Sequence, residues 1–176
     1  MLSSIVAAIA LVTLLNVILT IGVVRRLRDQ HTVLESLRHQ QPGPTVGAVV
    51  GDFAGAATTG HSITPKSLAG RETLVAFFSN ECEPCRTKLP RFVNYVIQQQ
   101  LAKHDVLAVV VGQERDSSEF VSQLAPVCTV ATEEFKGEIA AAFQVSSYPT
   151  TVRLRSEGGN LVVSEIDVDL DAAAAL

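Results

Sequence analysis

Leu74-Val75-Ala76-Phe77-Phe78-Ser79-Asn80-Glu81-Cys82-Glu83-Pro84-Cys85 is the passage on which the fold turns. Its first five residues form an unbroken apolar run, the pattern of a strand buried on both sheet faces. Pro84 to about Leu101 then reads as a helix, with Leu89, Phe92, Val93 and Val96 on one side. Pro84 suits a first helical turn, where its missing N–H costs little. Two cysteines three apart at such a junction can close a small disulfide ring. Unpaired N–H groups at the helix end favour a negative sulfur there. The outer sulfur, Cys82, is placed to attack, and Cys85, inside the helix, to resolve the resulting mixed disulfide.

Downstream, Val106–Val111 is a second buried strand, and Asp116–Leu124 a helix opened by the capping cluster Asp116-Ser117-Ser118. Pro126–Val130 reads as a short strand carrying Cys128, and Glu133–Phe143 as a helix with an acidic start. Thr150–Leu154 and Leu161–Ile166 flank the turn cluster Glu157-Gly158-Gly159-Asn160 and form an antiparallel hairpin. The order is strand, helix, strand, helix, strand, helix, hairpin, that of a globular α/β unit.

Upstream, residues 1–24 carry no charged side chain. Ile5–Val24 is long enough to cross a bilayer, which takes ~20 apolar residues. A cleaved signal peptide has a basic start and a shorter apolar stretch; this segment begins Met-Leu-Ser-Ser, so an uncleaved anchor touching membrane lipid through residues 5–24 is expected. Residues 25–44 read as a polar stalk. Leu27, Leu34 and Leu37 share a face, but two heptads do not define a coiled coil. Pro42-Gly43-Pro44 marks the boundary, and residues 45–176 form the globular domain.

The formal net charge of −4 excludes a basic nucleic-acid surface. The three cysteines are too few for a disulfide-stapled scaffold. Zinc wants four ligands. His31 and His39 lie in the stalk, His61 and His104 are scattered, and no second C-x-x-C follows, so no metal is expected. No cofactor is called for either, since sulfur itself carries the electrons. Cys128, within Ala125-Pro126-Val127-Cys128-Thr129-Val130, reads as a small core hydrophobe.

These residues resemble the thioredoxin superfamily, in particular its membrane-anchored TlpA-like branch, over about Pro42 to Ile166. The carriers are Val46-Gly47 through Asp52-Phe53, Gly60, Ser67-Leu68-Ala69-Gly70, Phe77-Phe78-Ser79, the Cys82–Cys85 motif, Pro90 five residues after it, and Val145-Ser146-Ser147-Tyr148-Pro149-Thr150. The resemblance implies a thioredoxin-like sandwich, a central mixed sheet flanked by helices, and a thiol–disulfide oxidoreductase. It also implies a cis bond before Pro149 and a client protein docking at Tyr148, Pro149 and Thr150. The electron donor or acceptor is not implied.

The chain also departs from that pattern. Glu81 replaces the usual aromatic before the first cysteine, and Glu81 and Glu83 oppose the helix-end effect, with Arg86 and Lys88 as compensating cations. Ala76 stands where ordinary thioredoxins carry a buried acid, a task that sequence assigns to neither Glu133 nor Glu134. The residues after Asp169 are too few for the amphipathic helix that usually closes the sheet. Two alternatives stand beside disulfide exchange. One is a peroxiredoxin-like peroxidase, for which Ser79 fits the motif and Val75 does not. The other is a non-catalytic tethered adaptor. Arg25, Arg26 and Arg28 after the span favour a cytoplasmic domain by the positive-inside rule; the resemblance implies the outer face, which is the expectation adopted.

Overall fold

The computed structural model describes residues 43–113 and 117–171, together with Thr13, Asn16 and Leu19. The chain divides into two units, residues 1–41 and 42–176. In the first, Thr13, Asn16 and Leu19 are helical and exposed. The rest of the expected membrane span, and the stalk up to residue 42, lie outside the described residues. Among those described, no helix is long and apolar enough to cross a membrane.

The second unit is built on a strand that the apolar run dictates. β3 (Thr73–Ser79) is buried at every position. Side chains alternate across a strand, so Val75 and Phe77 join one core while Leu74, Ala76 and Phe78 join the other. Burying a large aliphatic or aromatic side chain stabilises by about 1.5–3 kcal/mol, so this one segment fastens both layers to the sheet. β1 (Gly55–Ala56) and β2 (Ser62–Ile63) form a separate two-stranded ribbon, followed by α1 (Pro65–Leu68), which Thr64 and Ser67 close as a capping box. None of these three short elements is legible in hydrophobic periodicity.

α2 (Glu83–Gln98) follows β3, and β4 (Val106–Val111) pairs parallel to it. α3 (Ser118–Leu124) leads to β5 (Thr129–Glu133), parallel to β4. α4 (Glu138–Ala142) then leads to the hairpin of β6 (Thr150–Glu157) and β7 (Asn160–Ile166). The five-stranded order is β5-β4-β3-β6-β7, mixed, with β6 antiparallel to β3. On one face α2 and α3 cover Phe78, which meets Phe92 edge-on at 5.5 Å and Phe120 at 6.3 Å. On the other, Phe143 bridges Phe77 and Phe53 at 5.2 and 5.8 Å.

Three expected elements are displaced. The strand expected at Pro126–Val130 runs instead over Thr129–Glu133, because residues 125–128 form the turn leaving α3. The helix expected to begin at Glu133 begins at Glu138. Glu133 ends β5 opposite Val111, and residues 134–137 turn before α4. α3 starts at Ser118 with no side-chain cap; Asp116 lies outside the described residues, and the Ser117 hydroxyl donates instead to Gln113 O at 3.0 Å. Beyond β7, Val168 and Leu170 are buried in the core beneath α2.

Where β3 and β4 end together, Asn80 is nearly fully buried and its Nδ2 donates to Gln113 O at 2.9 Å and Ser117 Oγ at 3.2 Å. Gly112 sits against it with φ +139°, and a Cβ there would fall 2.0 Å from Asn80 Oδ1. Gly112→Ala combines a backbone conformation foreign to L-residues with a clash against the hydrogen-bonded Asn80 side chain. Urea denaturation is expected to show a loss of about 3 kcal/mol; an unchanged midpoint would show that the Asn80 contact is dispensable.

Candidate active site

The site grows out of the end of β3. Ser79 is the last strand residue, and its N–H no longer faces a neighbouring strand but donates to Cys85 Sγ at 3.4 Å. Asn80 N–H still reaches Val111 O at 3.2 Å, and Cys82 N–H returns to Ser79 O at 3.2 Å, so residues 80–82 form a tight turn. The Ser79 hydroxyl accepts from Glu81 N–H at 3.3 Å and holds that turn from inside. Cys82 is the N-cap of α2 in extended conformation, and its Sγ accepts from Cys85 N–H at 3.3 Å. The first helical turn thus points the Cys85 N–H at the outer sulfur, sharing it with Cys82 O at 3.1 Å.

The two sulfurs differ in access. Cys82 is half-buried, whereas Cys85 is fully buried; both are free thiols. Burial pushes the Cys85 thiol strongly upward and the neighbouring Cys82 side chain adds to this, while the Ser79 N–H and the charge of Lys88 pull the other way. Arg86, expected from sequence to offset the acids near Cys82, is engaged elsewhere. It pairs with Glu119 at 2.6 Å, donates to Asn80 O at 3.2 Å and lies over the Phe120 ring at 5.6 Å. Its work is to lock the first turn of α2 onto α3.

The residues 145–150 close the site from the other side. The Tyr148–Pro149 bond is cis, and Tyr148 O lies 3.4 Å from Cys82 Sγ, which donates to it. The Tyr148 ring is half-buried and touches both cores; burial, with the negative charge of Glu133 and Cys85, pushes its hydroxyl upward. Thr150 begins β6 as the partner of Phe77, and its hydroxyl donates to Ser147 O at 2.7 Å, bracing the loop. Cys82, Cys85, Tyr148, Pro149 and Thr150 therefore meet at one end of the sheet. A groove of about 500 Å³ adjoins the motif, between Pro84, Thr87 and Arg91 on α2 and Asp167–Asp171 after β7.

Glu133, which sequence leaves without a role, caps α4: its carboxylate accepts from Ile139 N–H at 3.0 Å and Ala140 N–H at 2.9 Å. Burial pushes its carboxyl upward, and those two N–H groups resist the shift. Ala76 is wholly buried in the same core as Cys85 and brings no ionisable group there. Among the described residues no three His, Cys, Asp or Glu side chains gather into a metal site. Cys128 lies in the core with its thiol donating to Leu124 O at 3.2 Å, as its apolar setting suggests.

A mixed sheet between two helical layers, with a dithiol at a helix N-terminus facing a cis-proline loop, defines the thioredoxin-like class of folds. Residues 46–158 match the AhpC/TSA family, and the chain belongs to it. No curated protein matches the sequence. Among solved structures, the chain is similar to dsbF of MTB (21% identity, 73% of this chain and 93% of that one, TM-score 0.56). It is also similar to the thioredoxin domain of a thiol-disulfide oxidoreductase from Bacteroides vulgatus (17%, 74% and 95%, 0.56). A third is a secreted Mycobacterium tuberculosis disulfide oxidoreductase homologous to E. coli DsbE (20%, 70% and 96%, 0.53). At these identities the likeness is one of fold.

The burial of two of the three thiols makes a reactivity test direct. At pH 8 iodoacetamide is expected to label Cys82 alone, and all three cysteines only after denaturation, as read by mass spectrometry. Cys128, pushed up to about 12 from an ordinary 9.0 by burial, stays protonated in the fold while the unfolded chain ionises. Its contribution to stability is therefore present below about pH 9 and lost as pH rises toward 12. Native labelling of Cys128 at pH 8 would contradict this packing.

Proposed function

We propose that this chain is a membrane-anchored thiol–disulfide oxidoreductase that exchanges a disulfide with a client protein through Cys82 and Cys85. The observation that carries this reading is the contrast of the two sulfurs: one reachable at a helix N-cap beside the Tyr148 carbonyl, the other sealed directly beneath it. In the reducing direction Cys82, as thiolate, attacks a client sulfur. The client S–S bond breaks, its second sulfur leaves and takes a proton, and a Cys82–client disulfide forms. Cys85 then loses its proton and attacks Cys82, releasing the client as a dithiol and leaving a Cys82–Cys85 disulfide. Two electrons pass from chain to client, and a second dithiol protein restores the pair; the oxidising direction is the same sequence reversed.

Tyr148, Pro149 and Thr150 form the docking edge for an extended client segment, set against Cys82 by the Tyr148 carbonyl. Two of the three structural neighbours, from Bacteroides vulgatus and Mycobacterium tuberculosis, are disulfide oxidoreductases, which supports the same reading. A peroxidase finds less support. The Ser79 hydroxyl is bound to Glu81 N–H, and Val75 is wholly buried within β3. Residues 5–24 are the anchor, residues 25–44 the stalk, and the domain works on the outer face, where the TlpA-like branch that the motif resembles operates.

Two experiments bear on this. Cys85→Ala is expected to trap its client as a mixed disulfide on Cys82, visible as a band removed by reductant, while Cys82→Ser traps none and abolishes exchange. Failure to trap any thiol partner, or exchange surviving in Cys82→Ser, would refute the mechanism. For location, a reporter that matures only after export, fused after residue 176, is expected to be active; activity of a cytoplasmic reporter alone would reverse the assignment.

A further inference from the structure

α4 is five residues long, too short to hold itself as a helix in isolation. Ile139 and Ala140 bury against the core, Gly51 N–H donates to Ala142 O at 3.1 Å, and Glu133 holds the start of the helix. Both carboxylate oxygens are used, one on Ile139 N–H and one on Ala140 N–H, so two of the helix's four orphan donors are met by one side chain from the end of β5. Gly137, in the intervening turn, passes so close that a Cβ would lie 2.3 Å from both Glu133 Cδ and Oε2 and 2.7 Å from its Cβ. The backbone there, φ −59° and ψ 164°, is open to any L-residue. Glycine at 137 is thus demanded by the passage of the Glu133 side chain rather than by its own conformation.

The same helix carries the docking loop. Ala140, whose N–H is held by Glu133, accepts at its carbonyl from Val145 N–H at 2.9 Å. Gln144, at φ 55°, closes the helix in left-handed conformation with its N–H on Ala141 O. Three residues beyond Val145, Tyr148 sets its carbonyl against Cys82 Sγ. A chain of hydrogen bonds therefore runs from Glu133 through one residue, Ala140, into the cis-proline loop.

We infer that Glu133 is a positioning residue: by gripping the start of α4 it fixes where the loop 145–149 stands, and so how well an extended client segment seats beside Cys82. It acts on docking and not on the sulfur chemistry. This rests on the disulfide-exchange reading above. Glu133→Gln keeps size and shape, but its amide nitrogen faces an N–H donor and cannot accept. Gly137→Ala breaks the same contact from the other side, leaving the carboxylate in place.

The test compares two probes with one leaving group. Reduced full-length protein in detergent is mixed with dithionitrobenzoate, and separately with a dodecapeptide whose cysteine carries the same nitrothiobenzoate; release of the chromophore is followed in single turnover, with thermal melts in parallel. Both variants are expected to raise the half-saturating peptide concentration about tenfold. The limiting rate with peptide and the rate with the small disulfide should stay within about twofold of wild type. Loss in Glu133→Gln alone would mean that the residue acts through its proton, and would overturn the proposal. Loss in Gly137→Ala alone would assign the effect to the turn, with the same consequence. So would no change in either variant, or an equal slowing with both probes, which marks general destabilisation. Wild-type protein inert toward both disulfides would instead sink the exchange reading on which this one stands.

Discussion

Everything at the site depends on how β3 ends. The strand is held on both faces, Phe77 by Phe143 from one layer and Phe78 by Phe92 and Phe120 from the other. At Ser79 the sheet ladder gives out on the β6 side, and the N–H that would have continued it finds Cys85 Sγ instead. Because the strand cannot shift without unpacking two cores, the inner sulfur is fixed to a rigid base. The outer sulfur inherits that rigidity through Cys85 N–H and the tight turn at residues 80–82. Side-chain clamps around the turn then serve to stop it opening sideways: Arg86 toward α3, and Asn80 toward the end of β4.

The legible part of this fold was the part whose signal is local. β3, α2, β4 and the β6–β7 hairpin each declare themselves in a continuous apolar run, a helical stripe, or a Gly-Gly turn between two strands. The misplaced elements failed for an identifiable reason. Glu133-Glu134 looks like an acidic first turn, which the helix dipole favours, yet the acid that serves α4 does so from five residues before the helix begins, across a turn. Pro126-Val127-Cys128 is apolar enough for a strand, yet it forms a turn in which Cys128 is buried and Val127 partly so. Two-residue strands such as β1 and β2 leave no periodicity at all.

The candidate site divides in the same way. Cys82 and Cys85 followed from spacing and context, whereas Pro149 stood out only through likeness to known proteins, since an isolated Tyr-Pro is most simply a turn. The contacts of Asn80 and Gly112 are long-range, and that of Glu133 crosses a turn, so none had a signature to find. Arg86 stands out in the sequence for its charge, but what it does is mechanical: it is half-exposed at the guanidinium, and its ion pair with an exposed Glu119 contributes little by Coulomb attraction alone. Its backbone hydrogen bond to Asn80 and its seat on Phe120 give it a defined geometry that charge does not.

The asymmetry of the sulfurs also orders the proposed chemistry. A client can reach only Cys82, so the first bond forms there. The second step needs Cys85 as a thiolate, and desolvation makes that form the costly one. The residue beneath it on the strand, Ala76, offers no base, and the groups that favour its ionisation are a backbone N–H and the more distant Lys88. In the proposed exchange, the step that burial opposes is therefore the second, from Cys85, and not the first, at Cys82.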